Sequence, residues 1–267
     1  MSTPLLFNES IPQKYEDYLT PFLFDPYAED LVARIEVIGL DNVLELACGT
    51  GAVTKKLLAH LPSTAQLVAT DLQPDMLDIA KRSISFPNVT WDVVDMTNIP
   101  YEDNRFDLII CQFGLMLVPE KLKALAEMRR VLRPGGHLLL NVWGSSRYNQ
   151  IWNIAGTVIQ SFLGGNPMLL DPGPFSLADE NTGLDLLKKA GFQDAKVTAV
   201  DKTGKIENAA MAAKGFIEGL PLFTAIRQKD PALPARIQEA LEVELVNQLG
   251  DYPLQSSMQA LVFETIK

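Results

Sequence analysis

The chain has 267 residues, long for one compact α/β domain and short for two, so its length favours one domain carrying insertions. Its 23 Lys and Arg against 33 Asp and Glu leave a formal net charge of -10, which repels phosphate backbones, and the densest basic run, KALAEMRRVLR, has the period of a solvated helix face. Nucleic acid is therefore not an expected partner.

Cys48 and Cys111 lie inside apolar runs, as suits a reducing compartment, and read as small buried packers. No stretch approaches the roughly 20 apolar residues that span a bilayer, and the opening residues lack a basic segment followed by an apolar core, so a cytoplasmic chain without a membrane span is expected.

In chain order, short apolar runs alternate with amphipathic ones, the pattern of βαβ units around a mostly parallel sheet. Strands are predicted at 42–47, 65–71, 89–95, 106–113 and 136–143, linked by helices at 52–60, 74–84 and 119–132. Pro74 opens the second helix and RPGG ends the third. The alternation then breaks. An apolar helical run, YNQIWNIAGTVIQSFL, a Gly/Pro-rich loop and a further helix lead to a sixth strand at 194–200, about 55 mostly helical residues follow, and a seventh strand is predicted at 258–266.

The first strand runs into VLELACGTGAVT, where Gly49 and Gly51 sit at the turn into a helix. Glycine there lets the backbone turn tightly and lets a ligand approach it closely. A P-loop needs Gly-Lys-Ser/Thr, and Gly51 is followed by Ala52 and Val53; a dinucleotide fingerprint needs a third glycine where Thr54 stands. Asp71 ends the second strand 20 residues after Gly51, placed to accept both hydroxyls of a ribose. Asp95 is read at the end of the third strand, placed to accept from an adenine amino group, with Leu72 and Met96 as apolar walls.

Together VLELACGTG, ATDLQPDML and VVDMTNIPYEDNRFDLIICQFGLMLVPEKLKALAEMRRVLRPGG resemble the class I S-adenosylmethionine-dependent methyltransferases, and the third block is similar to the ubiquinone/menaquinone-biosynthesis group. The resemblance covers about 41–143. It implies a Rossmann-like seven-stranded, mostly parallel sheet in the order 3-2-1-4-5-7-6, strand seven antiparallel, with S-adenosyl-L-methionine as cofactor, S-adenosyl-L-homocysteine as product, and no metal. It places Glu45, Ala47, Cys48, Gly49 and Gly51 around the methionine moiety, Asp71, Leu72 and Met76 at ribose and adenine, Asp95 and Met96 at adenine, and Gln112 beyond strand four.

A single domain over 1–267 then carries an N-terminal helical cap at 1–40, an insertion at 144–178 and a helical lid at 202–254. In the cap Tyr15, Tyr18 and Phe22 are three to four apart and share one α-helical face, which either packs on the domain or closes over the cofactor; Tyr15 and Tyr18 are the cofactor candidates. The insertions offer an acceptor pocket from residues including Trp143, Trp152, Phe162, Phe175, Met211, Phe216, Leu220 and Phe223, with Trp143 and Phe175 as the substrate candidates.

Methyl transfer is an in-line displacement in which alignment supplies much of the rate. No catalytic residue is assigned, and His60 and His137 are placed too far from the ligand edge to act as bases. The expected activity is methyl transfer to O, N or C of a small, partly apolar metabolite. Quinone-ring C-methylation is the alternative, and a non-catalytic cofactor-binding or partner subunit is the alternative of another class. Oligomeric state stays open.

Overall fold

In the computed structural model residues 11–164 and 173–267 are described. The first ten residues of the expected cap and part of the expected insertion at 144–178 lie outside them. Seven strands form one sheet: Asn42–Leu46 (β1), Gln66–Asp71 (β2), Val89–Val93 (β3), Phe106–Gln112 (β4), Leu132–Trp143 (β5), Lys196–Ile206 (β6) and Leu254–Ile266 (β7). Their order is β3-β2-β1-β4-β5-β7-β6, as the resemblance implies. The first five are parallel, and β7 runs antiparallel to both β5 and β6. β1 and β4 are central and buried on both faces, as strands covered by helices on either side must be.

The helices are Ile11–Lys14 (α1), a π-helix at Tyr15–Phe24, Asp25–Ala33 (α2), Ala52–His60 (α3), Pro74–Ser83 (α4), Lys121–Val131 (α5), Gln150–Leu163 (α6), Glu180–Lys189 (α7), Ala209–Glu218 (α8), Leu222–Lys229 (α9) and Leu233–Leu249 (α10). Local chemistry explains several starts. Pro74 supplies the fixed φ of a first helical residue, while Asp179 and Asn208 cap α7 and α8 by accepting from Thr182 N at 2.8 Å and Met211 N at 2.9 Å. One apolar core joins the π-helix, the sheet, α6, α8 and α10.

Three strand predictions, for β5, β6 and β7, were too short. RPGG lies inside β5, because Gly135 N and Gly136 O pair with Lys267 beyond the end of β7, and the strand enters through a register shift opposite Phe106 and Leu108. β6 and β7 continue beyond the last β5 pair, Trp143↔Ala260, through six more pairs from Asp201↔Gln259 to Ile206↔Leu254. At about 3.3 Å per residue this ribbon rises roughly 20 Å above the carboxyl edge of β5. Its inner face is Gly204, Ile206, Leu254, Ser256 and Met258, and its outer face carries Lys205, Gln255 and Ser257. The segment expected as a lid from 202 thus begins as strand, and its helices span 209–249.

Candidate active site

The turn after β1 carries positive φ at Ala47 (54°), Gly49 (56°) and Gly51 (92°). Gly51 caps α3, and a Cβ added there would stand 2.6 Å from Ile84 Cδ1, so this glycine serves backbone and packing behind the site. A Cβ at Gly49 would meet nothing within 4 Å: that glycine faces open space.

Asp71 ties the turn to β2. Its Oδ2 accepts from Gly49 N and its Oδ1 from Gln73 N, both at 2.8 Å. The carboxylate is 9 % exposed, and burial raises its pKa against the backbone N–H groups that lower it. Glu45, 1 % exposed, accepts from Thr54 Oγ1 at 2.6 Å. Its backbone carbonyl accepts from Thr70 Oγ1 at 2.9 Å. Burial pushes its carboxyl pKa up to about 8, so at neutral pH the isolated group holds its proton.

A recess at the carboxyl edge, where β1 and β4 part, brings together Tyr15, Glu45, Ala47, Cys48, Gly49 and Gln112 of the expected residues, and adds Phe24, Thr50, Ala52 and Val53. Gln112 Nε2 donates to Phe24 O at 3.3 Å, leaving its Oε1 buried with no donor among the described residues. Gly114 closes the floor: a Cβ there would lie 2.4 Å from Ala47 Cβ and 3.3 Å from Met96 Cε. Neither Gly114 nor the Glu45–Thr54 bond was read from the sequence, although the glycine of CQFG stands just past β4.

Tyr15 stacks on Phe24 with ring centroids 4.9 Å apart over this recess. Burial, then the charges of Asp71 and Glu16, raise its pKa. Tyr18 does not join it. Its ring lies between Lys14 Nζ (5.6 Å) and Lys214 Nζ (5.7 Å), against Gly215 of α8. The shared-face expectation assumed α geometry. With i→i+5 bonds about 4.4 residues complete a turn, so nine residues return Tyr15 to the face of Phe24 and three carry Tyr18 away. Thr20 Oγ1 and Thr50 Oγ1, 3.2 Å apart, and the Glu16–Lys55 ion pair at 2.6 Å fasten this helix over the turn.

Beyond Asp71, Leu72 is 53 % exposed and Met76 is buried on α4. Asp95 lies not at a strand end but two residues past β3, exposed, its Oδ1 accepting from Thr97 N and Oγ1, each at 2.8 Å.

Residues 43–136 match the family model described as "Methyltransferase domain". Residues 43–136 thus carry a methyltransferase domain, set in the strand order of the class I fold. It is 28% identical over 200 residues to demethylmenaquinone methyltransferase of Staphylococcus epidermidis, covering 70% of this chain and 83% of that one. It is 33% identical over 138 residues to ubiquinone/menaquinone biosynthesis C-methyltransferase UbiE of Francisella philomiragia, covering 49% and 55%. Its fold superposes on Haemonchus contortus phosphoethanolamine N-methyltransferase 2 in complex with phosphomonomethylethanolamine and S-adenosylhomocysteine, with a TM-score of 0.61 and 15% identity, covering 98% of this chain and 58% of that one.

Next to the recess the chain builds a row of rings. Trp143 stacks on Phe113 at 4.0 Å and is 6.1 Å from Phe24 and 6.0 Å from Trp152. Trp152 meets Phe216 edge-on at 5.0 Å and Phe175 at 6.1 Å. Trp143, Trp152, Phe216 and Leu220 are buried, whereas Phe175, Phe162, Met211 and Phe223 are half-buried.

The histidines are elsewhere. His60 ends α3 with Nε2 3.1 Å from Ile35 O, and His137 lies midway along β5, six residues before its carboxyl end at Trp143, paired with Ile266. Among the described residues no group of His, Cys, Asp and Glu is placed to hold a metal. No single described helix is long and apolar enough to cross a membrane; α8 and α9 pass that test only as a pair bent by 83°.

Proposed function

We propose that this methyltransferase binds S-adenosylmethionine in the recess beneath Tyr15 and moves its methyl group to a small, partly apolar acceptor beside Trp143 and Phe175. The observation that carries this is the recess itself. It lies at the switch point between β1 and β4, it contains an orphaned Gln112 Oε1, and it has open space over Gly49 where a side chain would otherwise stand. These residues fit the cofactor. Asp71 has lone pairs left for ribose hydroxyls after its two backbone bonds, and exposed Leu72, with Met76, Asp95 and Met96, forms the adenine side. Glu45, Ala47, Cys48 and Gly49 take the methionine end; Gly51 shapes the turn from behind, and Tyr18 has no part in binding.

When bound, the cofactor supplies an electrophilic methyl carbon on a good thioether leaving group. The chain supplies position and dryness. Tyr15 and Phe24 shield the recess from water, Gln112 stands between it and the ring row, and the inner face of the β6–β7 ribbon backs the acceptor side. No imidazole lines the recess, and Cys48, whose thiol burial holds protonated, offers backbone only.

Quinone-ring C-methylation is the second reading, favoured by what the two curated relatives are named for. The three helices between β6 and β7 distinguish the acceptor side from the matched segment 43–136. A metabolite panel with S-adenosylmethionine, read by coupled release of homocysteine and by product mass, tests both. Turnover of demethylated quinones selects the second reading and turnover of another small acceptor the first. Tight cofactor binding with no turnover across the panel contradicts both and leaves a non-catalytic cofactor-binding subunit.

A further inference from the structure

Past Gln112, the last residue of β4, the chain turns through Phe113 with φ 52°, a left-handed conformation that an aromatic residue adopts only under strain. Two neighbours pin it there. Its ring stacks on Trp143 at 4.0 Å, and its N–H donates to both oxygens of Asn141, the backbone O at 3.1 Å and Oδ1 at 3.0 Å. Asn141 is the β5 residue paired with Gln112 and is 0 % exposed. Its side chain is a poor choice for stability. Oδ1 duplicates a bond that the backbone already makes, and Nδ2 is buried with no acceptor among the described residues. A leucine has nearly the same shape and brings no orphaned donor. A strained residue and an unpaired buried amide on adjacent strands mark a place where position outweighs stability.

The residue positioned is Gln112. It lines the recess, its Nε2 is anchored on Phe24 O at 3.3 Å, and its Oε1 is a buried acceptor without a donor. We infer that Asn141 is a positioning residue for the cofactor: by clamping Phe113 in its left-handed turn it fixes how β4 ends, and so holds Gln112 Oε1 toward the ligand's α-ammonium. This rests on the S-adenosylmethionine reading above. An amide oxygen can only accept, and at the end of the recess formed by Glu45, Ala47, Cys48 and Gly49 the ligand's donor is its ammonium.

The test compares S-adenosylhomocysteine with 5′-methylthioadenosine, which keeps the nucleoside and the thioether and lacks the amino acid. Calorimetry on the full chain gives the ratio of the two affinities. Asn141→Leu should lower that ratio about tenfold, the share of one charge-assisted hydrogen bond, while 5′-methylthioadenosine binds within about twofold of wild type. The urea midpoint of this variant should equal or exceed that of wild type, a combination that a merely structural asparagine would not give. In a Gln112→Leu background the same substitution should leave the ratio unchanged, because no oxygen remains to be placed. Asn141→Asp keeps an acceptor for Phe113 N–H and should hold the ratio at or above that of wild type. If Asn141→Leu keeps the wild-type ratio, or lowers it by the same factor with and without Gln112, the inference is wrong and the cofactor reading stands. If Asn141→Leu does not fold, Asn141→Asp decides: a ratio below wild type overturns the inference. If the wild-type chain binds neither ligand, both fall.

Discussion

Cofactor affinity should depend on pH through Glu45. Burial holds its carboxyl at a pKa of about 8, against the hydroxyl and the backbone N–H of Thr54, which donate to it and lower it. The ligand carries a sulfonium and an α-ammonium, and a carboxylate facing them is favoured in its ionised form. Binding must therefore expel the proton. With a pKa of about 8, ionising the group costs about 1.4 kcal/mol at pH 7 and about 2.7 kcal/mol at pH 6, so affinity should rise roughly tenfold between these two values. Below pH 7 the ligand's own amine stays protonated and does not confuse the trend. Calorimetry in two buffers of different ionisation enthalpy should show close to one proton released per cofactor bound at pH 7. Glu45→Gln keeps an oxygen for Thr54, and should bind with a much flatter pH profile and less proton release. Burial raises Asp71 as well, so a residual slope is expected in that variant. A wild-type affinity constant from pH 6 to 7, with no proton released, refutes the placement of Glu45 beside the cation.

Asp71→Asn should weaken S-adenosylhomocysteine binding about as much as Asp71→Ala, by roughly 10- to 100-fold, because an amide must turn its NH₂ toward Gly49 N–H or Gln73 N–H. Wild-type binding by both variants would remove Asp71 from the site. Gly114→Ala should lower the urea midpoint by an amount equivalent to about 1–3 kcal/mol, since the new methyl meets Ala47 Cβ at 2.4 Å; an unchanged midpoint contradicts the packing described. The double variant His60→Ala, His137→Ala should keep most of its kcat, and a loss beyond about 100-fold in a folded protein assigns a histidine to the chemistry. Glu45 also links stability to pH: its folded pKa of about 8 lies above the ordinary 4.5, so its contribution is complete below 4.5 and is lost as pH rises through 8. Glu45→Gln should therefore show a shallower fall of Tm between those limits.

Much of the fold was legible where signals were local. α3 was placed at 52–60, its observed bounds, because glycine punctuates its start and apolar residues recur with helical period. The strand order followed from the resemblance. The β6–β7 ribbon was missed because Gly204 and Ser256 interrupt the apolar alternation on its buried face, which is closed by the π-helix and α6 rather than by large side chains. Pro21 inside the π-helix marks a break from regular helix but does not specify i→i+5 bonding. That bonding emerges from wrapping over the turn, and with it went the pairing of Tyr15 with Tyr18. Within the site, Glu45 and Asp71 could be named, but their partners could not. Thr54 reaches Glu45 across a strand and a turn, and Asp71 holds Gly49 from a neighbouring strand, so both bonds depend on the sheet being assembled.

Whether the recess under Tyr15 holds S-adenosylmethionine is decided by titrating the purified chain with S-adenosylhomocysteine in a calorimeter at pH 7.5, with Asp71→Ala alongside. One site per chain is expected, with a Kd of about 100 μM or tighter, weakened about tenfold or more in the variant. No saturable heat with wild-type protein, or equal affinity in both, would contradict that assignment.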